Sequence, residues 1–264
     1  MSHAAASAVH ITWTQPRPGR QVATVTVDRA AKLNTLTSAL IEEFAAGVGR
    51  LSEEPELAAV VLTGAGERAF IGGADIAEMA QLTAESARRF ITGIHQCCSA
   101  LRALPVPVIA RIQGYALGAG MEIAAACDLR VASSAAVFGM PEVRIGIPSV
   151  IEAALLPTLI GWGRAREVLL LGQTFSAEQA AAWGLVERVV PPGDLDAAVG
   201  SCVGALLDAG PNAIRIQKRL IQDWERLSVE GAIAAGIDAF VSAWSTDEPR
   251  RMMGAFLDSK RRPK

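Results

Sequence analysis

Gly-Tyr-Ala-Leu-Gly-Ala-Gly-Met-Glu-Ile-Ala-Ala-Ala-Cys-Asp, residues 114–128, joins a glycine-rich turn to an almost wholly apolar helical segment carrying one acid, Glu122. Just upstream, Leu104-Pro-Val-Pro-Val-Ile-Ala-Arg-Ile112 reads as a strand opened by prolines. Just downstream, Asp128 to Ala132 reads as another strand. Strand, glycine turn, buried helix and strand in so short a span make an α/β unit, in which parallel strands have helices over their faces.

The same grammar extends outward. Gln21 to Asp28 alternates β-branched residues as a strand does, and Ala58 to Thr63 is apolar on both faces and ends in Gly64-Ala65-Gly66. A further strand is expected at Val186 to Val190. Helical spacing marks Thr37 to Leu51, Ala84 to Leu104, Val150 to Ile160, Ala165 to Leu171 and Ser176 to Trp183, the last opened by Ser176 with Gln179 three residues on. From Asp194 onward only helical patterns occur, interrupted at Gly210-Pro211 and Asp247-Glu248-Pro249. The expected division is an α/β core over residues 1–200 and a helical region over 201–264.

A chain of 264 residues can bury a large core and a polar site within it. A net charge of −2 with 20% charged residues gives no bulk attraction to nucleic acid or to an anionic membrane. The longest apolar region, 103–127, is broken by Pro105, Pro107, Arg111, Gln113 and Glu122, so no membrane span is expected. Cys97, Cys98, Cys127 and Cys202 have no metal-ligand spacing, and His3, His10 and His95 supply no partner set, so the cysteines read as reduced thiols and no metal site is expected. The N-terminus has no basic segment followed by an apolar run, and a cytoplasmic location is the expectation.

Three constellations could carry chemistry. Glu122 follows a glycine turn into a helix, where backbone amides and the positive helix end would hold a carboxylate ionised. The plain alternative is a first-turn acid facing water; Met121, Ile123 and Ala124 to Ala126 weigh against it. Glu142, in Phe138-Gly-Met-Pro-Glu-Val143, follows a proline in apolar surroundings that favour the neutral acid. One anion and one neutral acid would form a base and acid pair. In Arg68-Ala-Phe-Ile-Gly-Gly-Ala-Asp-Ile-Ala-Glu-Met79, Gly72 and Gly73 suggest a loop with free amides, while Asp75 could simply cap the next helix; both can hold. Gly118-Ala119-Gly120 as a dinucleotide fingerprint is disfavoured, because Ile123 occupies the third glycine position and Glu122 would face the pyrophosphate.

These segments, with Asp28 to Leu36, Ser176 to Ala180, Trp183 to Val186, Ala239-Phe240 and Thr246 to Glu248, resemble the enoyl-CoA hydratase/isomerase (crotonase) superfamily in order and spacing over nearly the whole chain. The resemblance implies a crotonase-like spiral of ββα units with a C-terminal helical trimerisation region, assembling as a homotrimer or homohexamer. It implies a lyase of fatty acid metabolism adding water to an enoyl-CoA, with double-bond isomerisation, other enolate chemistry or non-catalytic acyl-CoA binding as alternatives. The partner is an acyl-CoA thioester, with no separate cofactor.

By position, the Ala74 and Ala119 amides would form an oxyanion hole, with Glu122 as base and Glu142 as acid. Lys32, Leu33 and the loop Gly73, Ala74, Asp75, Ile76 and Ala77 would lie near coenzyme A, with Gly118 beside Ala119. Ala77 stands where the family often has lysine, so Arg29, Arg68 or the basic tail 260–264 could supply the phosphate contact. The chain departs from the family after Glu142: in place of a glycine-rich segment it reads Ile145-Gly-Ile-Pro-Ser-Val-Ile-Glu-Ala-Ala154. Ser149 and Glu152 are therefore possible pocket residues, though the favoured expectation for Glu152 is a helix-terminal surface charge.

Overall fold

The computed structural model describes residues 8–261. The first seven residues and tail positions 262–264, on which the leader and phosphate readings partly rested, lie outside the described residues.

In chain order the elements are β1 (Val9–Arg17), β2 (Arg20–Val27), α1 (Ser38–Arg50), β3 (Leu57–Gly64), β4 (Ala69–Ile71), α2 (Ile76–Met79) and α3 (Ala84–Ala103). Next come β5 (Val108–Ile112), β6 (Tyr115–Leu117), α4 (Ala119–Ala126), β7 (Leu129–Ser133), β8 (Val137–Gly139), α5 (Leu156–Leu171), β9 (Thr174–Ser176), α6 (Ala177–Trp183) and β10 (Arg188–Val190). The chain ends in α7 (Leu195–Asp208), α8 (Pro211–Trp224), α9 (Val229–Ala243) and α10 (Glu248–Arg261).

Two sheets result. One has the order β1-β2-β3-β5-β7-β10, parallel except for the β1/β2 edge pair; the other has the order β4-β6-β8-β9, antiparallel only at β8/β9. Successive pairs β3/β4, β5/β6 and β7/β8 each place one strand in each sheet before the chain turns into helix. This is the expected spiral of ββα units. The β4, β6, β8 and β9 strands, of three residues each, escaped the sequence reading because so short a run gives a period of two little room to register; β10, equally short, was expected only as part of the longer run Val186 to Val190. So did β1, which buries only Val9 and contains Pro16.

Burial explains the larger sheet. Every residue of β3 is buried: Val60 and Leu62 join the main core with Phe44, Ile94 and Phe70, while Ala59 and Val61 face the opposite side, where α7 packs Leu195, Ala198 and Val199. Each fully buried aliphatic side chain of this kind contributes about 1.5–3 kcal/mol. Thr37 caps α1, and Ser176 with Gln179 forms the capping box that opens α6, as the sequence indicated. The two helical patterns expected at 150–160 and 165–171 are a 3-10 turn, Ile151–Leu155, followed by α5, which is broken at Gly161 with φ 74°. Cys97, Cys98 and Cys127 are buried free thiols, which burial pushes up to about 12 for Cys97 and Cys127 and well above the usual range for Cys98. Among the described residues, no helix is long and apolar enough to cross a membrane.

Candidate active site

The stretch that opened the sequence becomes β6, a turn at Gly118, and α4. All eight residues of α4 are buried, because β4, α3 and the 3-10 turn at Ile151–Leu155 enclose it. No Cβ would fit at Gly120, where it would overlap the Ile71 carbonyl, so α4 packs directly on β4.

Glu122 is only 4% exposed. Its backbone amide is spent inside the helix on the Gly118 carbonyl (3.0 Å), and its carboxylate accepts one hydrogen bond, from the Ala153 amide to Oε1 (3.1 Å). A single donor does not offset desolvation, and Glu142 and Glu152 add like charge nearby, so the Glu122 carboxyl is pushed up to about 8. This corrects the expectation that the helix end holds Glu122 ionised. The free amides of the turn belong to residues before Glu122 and do not reach its side chain, so burial outweighs them.

Glu142 begins a 3-10 turn, Glu142–Ile145, after β8 and is half-buried. Ser149 Oγ donates to its Oε2 at 2.8 Å. The other oxygen lies against Gly118, where φ is +51° and an added Cβ would overlap Glu142 Oε1. Glycine is required there twice over, by the backbone angle and by the carboxylate.

Glu122 and Glu142 line one pocket together with Gly72, Gly73, Ala74, Ala119 and Ser149. Its apolar wall includes Met79, Ile91, Ile147, Pro148 and Val150, residues that also line an adjoining apolar hollow with Leu82 and Phe90. Two residues that line this pocket, Ala74 and Ala119, have backbone amides with no acceptor among the described residues. Ala119 is the first residue of α4, so its N–H has no partner within the helix. Ala74 forms a parallel bridge with Leu36 whose bonds, Leu36 N–H to Gly73 O (2.9 Å) and Asp75 N–H to Leu36 O (2.8 Å), use its neighbours and leave its own N–H turned away from Leu36.

Asp75 caps α2 and also pairs with Arg29 at 2.6 Å. The Arg29 hydrogen bond, followed by the Glu78 amide, lowers its carboxyl below the usual range. Arg29 thereby braces the loop, and also donates to Thr35 Oγ1. Lys32, Ile76, Ala77 and Arg68 are exposed, while Leu33 sits at φ 54° at the end of a 3-10 turn. The structure brings the Arg29 to Leu33 turn beside the Gly73 to Ala77 loop through the Arg29–Asp75 pair and the bonds from Gly72 N–H to Leu33 O and Leu36 N–H to Gly73 O.

Several site-forming residues were not singled out in the sequence. Fully buried Asn34 donates to the carbonyls of Ala65 and Ala69, and accepts from the Arg29 amide. Gln113 donates to Gly64, Gly66 and Ala69 carbonyls. Together they hold the turn from Gly64 to Gly66 and the start of β4 in place. The surface-charge expectation for Glu152 is overturned: it is 7% exposed, and its Oε1 meets His95 Nδ1 at 2.8 Å. It lies behind the pocket wall because the 3-10 turn folds inward against α3 and α4.

Comparison with known proteins agrees with this architecture. The enoyl-CoA hydratase/isomerase family model matches residues 18–264. A short-chain-enoyl-CoA hydratase of Clostridium acetobutylicum is 36% identical over 91% of this chain and 93% of its own length, and a crotonyl-CoA hydratase of Syntrophomonas wolfei is 33% identical with the same coverage. The crystal structure of an enoyl-CoA hydratase from Bacillus anthracis superposes with a TM-score of 0.90 at 32% identity, covering 97% of this chain and 98% of that one. The chain is a member of the enoyl-CoA hydratase/isomerase family.

Proposed function

We propose that this protein is an enoyl-CoA hydratase, a lyase that adds water reversibly across the double bond of an α,β-unsaturated acyl-CoA thioester. The observation that carries the reading is that two carboxyl groups on separate elements, Glu122 and Glu142, line the same pocket as two unengaged amides. Hydration needs these parts. A carboxylate takes a proton from water as its oxygen bonds to the β-carbon. The double-bond electrons move toward the thioester carbonyl, whose developing enolate oxygen accepts hydrogen bonds from the Ala74 and Ala119 amides. The second carboxyl then gives its proton to the α-carbon, so the pair carries one proton in all. Glu122 is the base in this scheme and Glu142 the acid.

Because burial puts the Glu122 midpoint at about 8, the pair loses its one proton as pH rises through that value. The acyl chain would follow the apolar wall of Met79, Ile147 and Val150. Coenzyme A would lie by Lys32, Leu33 and the loop Gly73 to Ala77. The C-terminal helices are assigned to assembly as a trimer or hexamer of copies in the cytoplasm. Ile233, Ile237, Phe240 and Val241 of α9 are each more than 60% exposed, an apolar face that a lone chain would leave wet.

A panel of enoyl-CoA thioesters, from crotonyl upward, tests the reading by loss of the conjugated enone absorbance. Hydration of at least one member, with kcat/KM falling as pH rises above about 8, is the expected result. No loss of absorbance with any member would refute it. Migration of the double bond without water uptake would replace it with an isomerase.

A further inference from the structure

Glu152 and His95 form a buried-to-surface pair that the hydration scheme leaves unused. The chain around them is unusual on three counts. Ile151 sits at φ +40°, a left-handed conformation that a β-branched residue adopts only when its surroundings impose it. Glu152 Oε2 is buried with no hydrogen-bond partner, a costly state for a carboxyl oxygen. The residue immediately after Glu152 supplies the one amide that bonds the Glu122 carboxylate.

His95 lies on α3 with about half its side chain in solvent. Its Nδ1 holds Glu152 Oε1 at 2.8 Å, and its Nε2 lies 3.3 Å from Ser99 Oγ one helical turn on. The pair therefore ties the strained turn Ile151–Leu155 to α3. The ionisable groups facing Glu122 from the elements packed on α4 are Glu142, Glu152 and, from α3, Cys98, with His95 behind Glu152. The β6 strand offers only Tyr115, which is exposed, and β4 offers none.

We propose that Glu152, held by His95, is a positioning residue for Glu122: it fixes the strained turn so that the Ala153 amide stays on the Glu122 carboxylate, and sets a second acid beside it. Its catalytic meaning rests on the hydratase reading. The geometric claim does not, since it concerns the resting protein alone.

The Glu122 carboxyl can be titrated without substrate, by carbon-13 NMR of protein labelled at the glutamate carboxyl carbons, with Glu122→Gln assigning the resonance. Glu152→Gln keeps the shape and the His95 contact but removes the neighbouring charge, and should lower the Glu122 midpoint by about one unit. His95→Ala frees the turn and loosens the Ala153 amide, so it should raise that midpoint. His95→Asn, with a donor near the Nδ1 position, should restore it. In pH–rate profiles, the limb governed by Glu122 should move in the same opposite directions, with kcat affected more than KM. Unmoved midpoints in both Glu152→Gln and His95→Ala would overturn the proposal, and either variant alone decides it if the other fails to fold. If the enzyme turns over no enoyl thioester, the hydratase reading fails, while the NMR midpoints still judge this one.

Discussion

The two flanks of the pocket are built on opposite principles. On one side Glu122 projects from α4, every residue of which is buried, so the position of its carboxyl is set by packing against β4 and α3. On the other side Glu142 opens a short 3-10 turn, and the residues from Val143 to Pro148 that follow it are all exposed. Packing imposes both a location and a proton affinity. The exposed flank is positioned by particular contacts, Ser149 and the missing Cβ of Gly118. A site that must hold one proton between two acids gains from this asymmetry, because two equivalent carboxyls would compete for it.

The largest effect expected is on turnover. Glu122→Gln and Glu142→Gln should each lower kcat by about 10²–10⁴-fold, the usual contribution of a positioned acid or base. Steady-state rates on the best thioester check this, and a loss confined to one variant would mean that only one flank does proton chemistry.

Stability should separate the flanks next. The folded state keeps a proton on Glu122 up to about 8, whereas the unfolded chain releases it near 4.5. The Glu122 contribution to stability is therefore greatest below about 4.5, falls as pH rises between the two values, and levels off above the folded midpoint. At pH 7 the loss is at most about 3 kcal/mol. Glu122→Gln should remove that slope and raise Tm at neutral pH, which thermal unfolding at pH 5 and pH 8 would detect. An equal gain from Glu142→Gln would erase the contrast.

A smaller effect is expected at the junction of the flanks. Gly118→Ala places a methyl group against Glu142 at a backbone angle unsuited to alanine, so it should cost about 1–3 kcal/mol in stability and lower kcat by more than tenfold. Denaturant unfolding and turnover check the two parts. The smallest belongs to Ser149→Ala, which removes one hydrogen bond from Glu142 and should cost about 1 kcal/mol, roughly fivefold in kcat/KM. A loss as large as that of Glu142→Gln would make Ser149 the principal support of that flank.

Much of this was legible in the sequence, for reasons that particular residues show. The β3 strand announced itself because each of its residues is apolar or small and buried, and Thr37 and Ser176 marked helix starts by local hydrogen-bonding chemistry. Glu122 stood out as the one acid in an apolar helix. Its protonation was misread because a helix end is visible in sequence, whereas the desolvation contributed by β4, α3 and the 151–155 turn is assembled only in three dimensions. Glu152 was misread for a related reason. Its partner His95 lies 57 residues earlier, and no local pattern links them. Asn34 and Gln113 earn their roles by donating to carbonyls of loops that exist only after the two sheets form.

The buried cysteines have a consequence for a protein that handles thioesters. Attack on an acyl-CoA carbonyl requires a thiolate, and Cys97 and Cys127, with midpoints near 12 and no exposed surface to speak of, remain as thiols at any physiological pH. Cys98, which feels the charges of both Glu152 and Glu122, is pushed the same way by burial first and by Glu152 second. Acyl transfer onto the protein and mixed-disulfide formation with free coenzyme A are both closed off at these three positions. An acyl group that enters the pocket thus meets carboxyls and amides close at hand and no competing sulfur nucleophile among them.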